Sequence, residues 1–179
     1  MSLRIVDFAD LTPTQRAEAA QVLAAAFADR PQAFEDPEAE VATFFEDEDR
    51  AAIAALEGDR VVGWIGRIDT YSHAWELHPL AVDPAFQRRG IGARLCRELE
   101  ARVKAAGVLT LYLGTDDEFG GTSLFGADLF PDVAGRIAGV RETSGHPFAF
   151  YRKQGYEIVG LIPDANGPGK PDIFMAKRL

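Results

Sequence analysis

The sequence has little cysteine and histidine, with one Cys and three His in 179 residues. Cys96 therefore has no partner for an internal disulfide, and no C-x-x-C pair or clustered His/Cys spacing predicts a structural zinc site. A membrane-spanning helix needs about 18 or more consecutive apolar residues, and the sequence has no such run. The N-terminal fifteen residues also lack the apolar stretch of a signal peptide. We therefore expect a cytoplasmic protein that holds no metal.

Positive charge is also scarce, since 19 Lys and Arg stand against 28 Asp and Glu. The resulting net charge of -9 argues against general binding to nucleic acid or to an anionic membrane, and it permits a cationic ligand. Hydrophobic residues make up 47%, enough for a sizeable core. With no linker or repeat in view, we predict a single domain over residues 1–179.

Periodicity, caps and glycine stops predict alternating short strands and helices. Thr12-Pro13-Thr14-Gln15 has the pattern of a capping box and predicts a helix that continues to about Ala28. Asp36-Pro37 starts a second helix in the same way. Further helices are predicted at 90–106, 131–138 and 147–154. Strands are predicted at 3–8, 51–56, 60–70, 75–82, 108–114, 156–162 and 172–177.

The most informative stretch is a strand, a short turn and the start of a helix at residues 75–92. The turn Gln87-Arg88-Arg89-Gly90-Ile91-Gly92 brings backbone N–H groups together at a helix N-terminus, where the helix dipole is positive. Glycine lets phosphate oxygens approach the backbone, and two arginines add charge. These features suit a diphosphate, although an ordinary strand-to-helix turn has similar residues. The patterns of a P-loop and of G-x-G-x-x-G are absent.

Pro79 interrupts the preceding strand. Proline cannot donate to a ladder, so within a strand it marks an edge or a bulge. A bulge here would splay the strand from its neighbour and expose the N–H groups of Leu80 and Val82 to a ligand. On a regular strand, Glu76 would share one face with His78, Leu80 and Val82.

The order strand, Val-x-Pro, Gln-x-x-Gly-x-Gly and helix resembles the acetyl-CoA motif of the GNAT superfamily. Trp75-Glu76-Leu77-His78-Pro79-Leu80, Leu113-Gly114-Thr115-Asp116-Asp117 and His146-Pro147-Phe148-Ala149-Phe150-Tyr151 resemble one branch of it, the aminoglycoside 6′-N-acetyltransferases. The likeness covers roughly residues 60–179.

The resemblance implies an α/β (mixed α+β) fold whose central, mostly antiparallel sheet is splayed at the acetyl-CoA site and flanked by helices. It implies direct transfer of an acetyl group from acetyl-CoA to a primary amine through a tetrahedral intermediate, without a metal. The acceptor it suggests is the 6′-amino group of an aminoglycoside antibiotic. It also implies a homodimer.

Amine acetylation needs a neutral amine, a polarised thioester carbonyl and a proton for the leaving thiolate. The resemblance gives Glu76 as the base or as a ligand of the cationic amine, and Tyr151 as the acid. The Leu80 N–H is the expected oxyanion donor. His78 either orients Glu76, contacts the cofactor or is structural. The residues expected to bind acetyl-CoA are Leu80, Val82, Gln87, Arg88, Arg89, Gly90, Ile91, Gly92, Ala93 and Tyr151.

Acidic residues after the strand at 108–114 are candidates for binding a polycationic acceptor. Asp116 and Asp117 are the main ones beside Glu76, with Glu142 a weaker one; a charged loop tip would have the same composition. Because one fold serves many amines, a polyamine, an amino sugar or a peptide remains an alternative acceptor. A non-catalytic acetyl-CoA-binding module is the further alternative, which Glu76 and Tyr151 together disfavour.

Overall fold

In the computed structural model, which describes residues 3–179, the chain forms two compact units. The first extends to Leu109 and includes Leu179, and the second is Thr110–Arg178. Both combine strands with helices, and every strand pair within either unit is antiparallel. The predicted α/β class is therefore confirmed, while the single domain over 1–179 and the splayed sheet stay predictions.

The first unit has four strands in the order β1-β2-β3-β4. Its strands are β1 (Leu3–Asp7), β2 (Arg50–Glu57), β3 (Arg60–Ile68) and β4 (Ala74–Val82). Its helices are α1 (Pro13–Ala26), α2 (Pro37–Glu46) and α3 (Ile91–Ala105), with short 3-10 turns at Phe8–Asp10, Pro31–Phe34 and Pro84–Phe86.

The start of α1 and the end of α3 have the capping hydrogen bonds that their sequences favour. Thr12 Oγ1 accepts from the Gln15 N–H at 3.3 Å and Gln15 Oε1 from the Thr12 N–H at 3.0 Å, which confirms the capping box. Helix α3 ends in a Schellman motif, since the N–H of Val108 donates to the Val103 carbonyl and that of Gly107 to Lys104. Val108 thus belongs to the helix cap, and the next strand begins later than predicted.

The core of the first unit lies around Trp64. Its ring is fully buried, and Nε1 donates to the Ala19 carbonyl at 3.0 Å. Phe8 and Phe44 lie against it with ring centroids 5.0 and 5.4 Å away. The N–H of the indole is satisfied inside an apolar cluster, so Trp64 is a core residue.

The second unit has three strands in the order β5-β7-β6. They are β5 (Thr110–Asp116), β6 (Glu157–Ile162) and β7 (Asp172–Arg178), with helices α4 (Val133–Ala138) and α5 (Pro147–Lys153). Strand β5 continues past the predicted end at Gly114, because β7 pairs with it as far as Asp172 opposite Asp116.

Candidate active site

Strand β4 has a bulge at His78 and Pro79. Leu77 pairs with Arg67 and Leu80 pairs with Ile65, so two residues of β4 lie opposite Gly66 alone. The missing N–H of proline fits this gap in the ladder, and the bulge predicted at Pro79 is confirmed. A Cβ on Gly66 would collide with the His78 carbonyl oxygen and lie 2.7 Å from Cζ of Phe44.

The bulge changes which side chains share a face, so the prediction of one common face is wrong. Glu76 pairs with Ile68, and His78 lies opposite Gly66, whose Cα faces the Phe44 ring of α2. Beyond the bulge, Val82 pairs with Gly63 of β3. A Cβ added to Gly63 would contact Cγ2 of Val82 and Cγ2 of Ile91 in α3, so this face of the sheet is the one that α3 covers. The extra residue shifts the alternation by one. Glu76 and His78 therefore face α2, while Leu80 and Val82 face α3.

The backbone amides of Leu80 and Val82 point away from β3. The Asp83 N–H donates to the Val62 carbonyl at 3.0 Å, which places the amide of Asp83 on the β3 edge. Amides alternate between the two edges of a strand, so those of Leu80 and Val82 lie on the opposite edge. The role of the Leu80 amide as an oxyanion donor and the strand-like binding of an extended ligand at this edge stay predictions.

The loop after β4 leads directly into the N-terminus of α3. Gly90 is the N-cap with φ 80°, and no side chain caps the helix. Space around its Cα is open, since a Cβ there would meet nothing within 4 Å. Ile91 is buried, whereas Gly92 and Ala93 are half-buried. The first N–H groups of α3 thus lie at a position where no protein side chain caps them.

Two polar residues of the loop after β4 have side-chain contacts, and a third is exposed. Gln87 Nε2 donates to the Val82 carbonyl at 3.1 Å, which ties the loop to the end of β4. Arg89 lies over the Phe86 ring at 4.9 Å from its centroid. Arg88 is exposed with φ 61°. Exposed guanidinium groups beside uncapped amides form an anion-binding surface, as a diphosphate requires.

A family model described as "Acetyltransferase (GNAT) family" matches residues 19–121, which include β4, this loop and α3. The chain belongs to the GNAT acetyltransferase family. Acetyl-CoA is the cosubstrate of such enzymes. The binding of its diphosphate at the N-terminus of α3 stays a prediction. The contacts of the individual residues 87–93 with it stay predictions.

Two solved structures resemble this acetyltransferase along nearly its whole length. An aminoglycoside 6′-N-acetyltransferase complexed with coenzyme A is 38% identical, with a TM-score of 0.91, over 98% of this chain and 96% of the other. An aminoglycoside 6′-N-acetyltransferase from Enterococcus faecium is 39% identical, with a TM-score of 0.89, over the same shares. Both structures are similar enough to this chain to support a proposal about its substrate as well as its fold.

Two mycobacterial proteins resemble a shorter stretch of the acetyltransferase. The N-alpha-acetyltransferase RimI of Mycobacterium tuberculosis is 31% identical over 119 residues, which are 65% of this chain and 67% of that protein. An uncharacterized protein, ML0378, of Mycobacterium leprae is 28% identical over 130 residues. That match covers 70% of this chain and 28% of the much longer relative.

His78 of the acetyltransferase contacts helix α2. Its Nε2 lies 3.5 Å from Oε1 of Glu40, and its ring centroid lies 5.7 Å from that of Phe34. The carboxylate of Glu40 also accepts from Nη1 of Arg50 at 3.2 Å. These contacts hold the His78 ring from the α2 side, and the three roles predicted for it stay open.

Tyr151 lies in the second unit, on helix α5. The helix begins at His146, whose Nδ1 accepts from the Phe148 N–H at 3.2 Å, and it is followed by Gly155 with φ 90°. The Tyr151 ring is 9% exposed and meets the rings of Phe150 and Tyr156 edge-on. Its position is fixed by aromatic packing, and its role as the acid stays a prediction.

The acids predicted to bind the acceptor have different surroundings. Asp116 is the last residue of β5 and accepts from the Asn166 side chain, and Glu142 is exposed. Asp117 is only 1% exposed, and its carboxylate accepts from the N–H groups of Gly121 and Thr122 and from the Thr122 hydroxyl. These bonds fold the loop after β5, so the setting of Asp117 favours a structural role.

Replacing Asp117 with asparagine is therefore expected to destabilise the protein by about 1–3 kcal/mol. Oδ1 accepts from the Gly121 N–H and Oδ2 from the N–H and hydroxyl of Thr122, and the amide nitrogen that replaces one of these oxygens cannot accept. The midpoint temperature of thermal unfolding should fall by several degrees. Glu142→Gln, which removes the same charge from an exposed side chain, is the control and should leave the midpoint unchanged. Unchanged stability of Asp117→Asn together with a raised KM for the amine would restore Asp117 as an acceptor ligand.

Glu40, Arg50 and Asn166 were not among the predicted site residues. Glu40 lies 38 positions before His78 in the chain, and only the apolar positions of α2 could be recognised from its pattern. Asn166 lies in a turn whose proximity to Asp116 depends on the pairing of β5 with β7. Neither proximity leaves a signal in local sequence spacing.

Residues 3–179 contain no helix that is both long and apolar enough to cross a bilayer. The same residues contain no group of three or more His, Cys, Asp or Glu side chains arranged to hold a metal ion. Cys96 of α3 has no exposed surface and belongs to the core.

Proposed function

We propose that this acetyltransferase modifies the 6′-amino group of aminoglycoside antibiotics. The observation that carries the proposal is the likeness to two aminoglycoside 6′-N-acetyltransferases over 98% of the chain at 38% and 39% identity. The net charge of -9 agrees with a polycationic acceptor. A role in antibiotic resistance, a cytoplasmic location and a homodimer belong to the same proposal.

Glu76 is the group proposed to receive the acceptor. An aminoglycoside amine is an ammonium near neutral pH and has no lone pair until a proton is removed. The Glu76 carboxylate attracts the cation and can take its proton, either directly or through one water. Its position on the α2 face of β4, together with His78, supports an acceptor that arrives from that side.

The remaining roles concern the thioester. Acetyl-CoA supplies an activated acetyl group and a thiolate leaving group. The Leu80 N–H is directed away from β3 and is proposed to donate to the carbonyl oxygen as negative charge develops there. Tyr151 is proposed to give a proton to the departing sulfur. The Leu80 N–H lies at the edge of β4 that is directed away from β3, and the Glu76 side chain lies on the α2 face of the same strand, which suits two substrates bound together for direct transfer.

The acceptor rings carry several further amines, for which carboxylates are suitable charge partners. Asp116 is held by Asn166, and Glu142 is exposed on the segment that forms a bridge with Thr122. Both are proposed as charge partners of the acceptor. The exposed rings of Phe119 and Phe130, each 61% accessible, lie on the same irregular stretch.

The test compares two aminoglycosides that differ only in a 6′-amine or a 6′-hydroxyl. With acetyl-CoA, we expect thiol release with the amine and none with the hydroxyl, and NMR of the product should locate the acetyl group on the 6′ nitrogen. Acetylation of another amine in both compounds would overturn the 6′ assignment. No release with either compound, while acetyl-CoA binds, would overturn the aminoglycoside proposal as a whole.

A second candidate acceptor is the amino terminus of a peptide or protein. It is favoured by the 31% identity to an N-alpha-acetyltransferase over 119 residues. A panel of short peptides with free amino termini, assayed by the same thiol release, separates the two candidates. Turnover of peptides without turnover of aminoglycosides would select this second function.

A further inference from the structure

Glu40 is the residue through which helix α2 holds the histidine of the β4 bulge. Its Oε1 lies 3.5 Å from Nε2 of His78 and 3.2 Å from Nη1 of Arg50. The Arg50 guanidinium is itself held, since Nη1 contacts Thr43 Oγ1 at 3.2 Å and Nε lies 3.5 Å from Asp47. The carboxylate is thus fixed between a strand arginine and the histidine.

The His78 ring has a second contact that limits its rotation. The ring of Phe34 lies at a 40° tilt with its centroid 5.7 Å away. The His78 side chain is 35% exposed, and that of Glu40 is 21% exposed. One nitrogen is therefore directed at the carboxylate and one ring face is covered, while part of the imidazole remains accessible.

Glu40 stays ionised in this setting. The contact with His78 lowers the pKa of Glu40 most strongly, and the Arg50 guanidinium lowers it further against the opposing effect of burial. An ionised carboxylate only accepts hydrogen bonds, so the nitrogen that faces it must carry the hydrogen. This assignment from the bonding partner gives Nε2–H for the neutral ring, which leaves the lone pair on Nδ1.

We propose that Glu40 is a positioning residue that holds His78 with hydrogen on Nε2, so that Nδ1 accepts a hydrogen bond from the acceptor beside Glu76. The inference rests on the proposed transfer to an amine, because it gives His78 a substrate to contact. His78 lies next to the bulge on the face that also carries Glu76, two residues away. A substrate amine bound by Glu76 would thus lie near a second group that is oriented to accept a hydrogen bond, two residues away along β4.

The first test uses free protein and needs no substrate. At about pH 9, well above the ordinary histidine pKa of about 6.5, the ring nitrogen shifts of 15N-labelled protein report which nitrogen carries hydrogen. The chain has three histidines, and His78→Asn identifies the signal of interest. We expect the Nε2–H form in the wild type and a mixture of both tautomers in Glu40→Leu. A wild-type ring with hydrogen on Nδ1 would overturn the proposal.

The second test is a double-mutant cycle on transfer to an aminoglycoside 6′-amine. We expect Glu40→Leu to lower kcat/KM for the amine about tenfold, Glu40→Gln less, and neither to change the KM for acetyl-CoA. In the His78→Asn background, Glu40→Leu should have no further effect, because the residue acts through His78. A full tenfold loss in that background would show a merely structural contribution.

The matched control is Glu38→Gln, which removes the same charge from an exposed residue in the first turn of α2. It should change neither the tautomer nor the kinetics. Thermal unfolding of each variant shows whether it is folded, and Asp47 remains beside Arg50 when Glu40 is replaced. If no aminoglycoside is turned over, the proposed function fails, and the tautomer measurement still decides the coupling between Glu40 and His78.

Discussion

Replacing Glu76 with glutamine is expected to lower kcat/KM for a 6′-amino aminoglycoside about 10²- to 10⁴-fold, the range in which positioned general bases contribute. Glutamine has nearly the same shape but neither attracts the ammonium by charge nor accepts its proton. Glu76 faces α2, whereas the loop proposed to bind the diphosphate begins beyond the bulge. The affinity for acetyl-CoA should therefore stay unchanged, which calorimetric titration of the variant measures directly.

The pattern of the kinetic change separates two roles for Glu76. A lower kcat with little change in KM for the amine indicates that the carboxylate removes a proton during reaction, whereas a raised KM with normal kcat indicates that it only binds the cation. Glu57→Gln, at the distal end of β2, removes the same charge and should behave as wild type. An unchanged kcat/KM in Glu76→Gln would exclude the residue from both roles.

Local sequence signals predicted the elements of the first unit well. The capping box of Thr12 and Gln15, the start of α3 next to Gly90 and the irregularity of β4 at Pro79 each depend on neighbours within a few residues. The faces of β4 were predicted wrongly for a related reason. A bulge inserts one residue into one strand only, and its effect on alternation is read from the register against β3, which the sequence of β4 does not contain.

The charged residues of the site were less predictable than its backbone. Asp116 and Asp117 are adjacent acids with the same sequence context, yet one ends a strand beside Asn166 and the other is buried in a loop that it folds. Glu40 reaches His78 only because α2 packs across the sheet. Such contacts arise from tertiary packing, and a single sequence carries no periodic trace of them.

The second large effect is expected from Gly66→Ala, which should destabilise the first unit and lower turnover. The added Cβ would collide with the His78 carbonyl oxygen and lie within 2.7 Å of the Phe44 ring, so either the bulge or the core must move. Overpacking of this kind typically costs about 1–3 kcal/mol. The bulge determines where Glu76, His78 and Leu80 lie, so its displacement should also lower kcat/KM by about tenfold or more, because small misplacements of reacting groups are costly.

Gly160→Ala is the matched control for this prediction, since it adds the same methyl to a strand glycine where a Cβ meets nothing within 4 Å. We expect its thermal midpoint and kinetics to equal those of the wild type. Adding Phe44→Leu to Gly66→Ala separates the two collisions, because the smaller side chain relieves the ring contact but leaves the one with the His78 carbonyl. Recovered stability without recovered turnover would show that the bulge sets the reaction geometry, whereas recovery of both would assign the whole effect to the core.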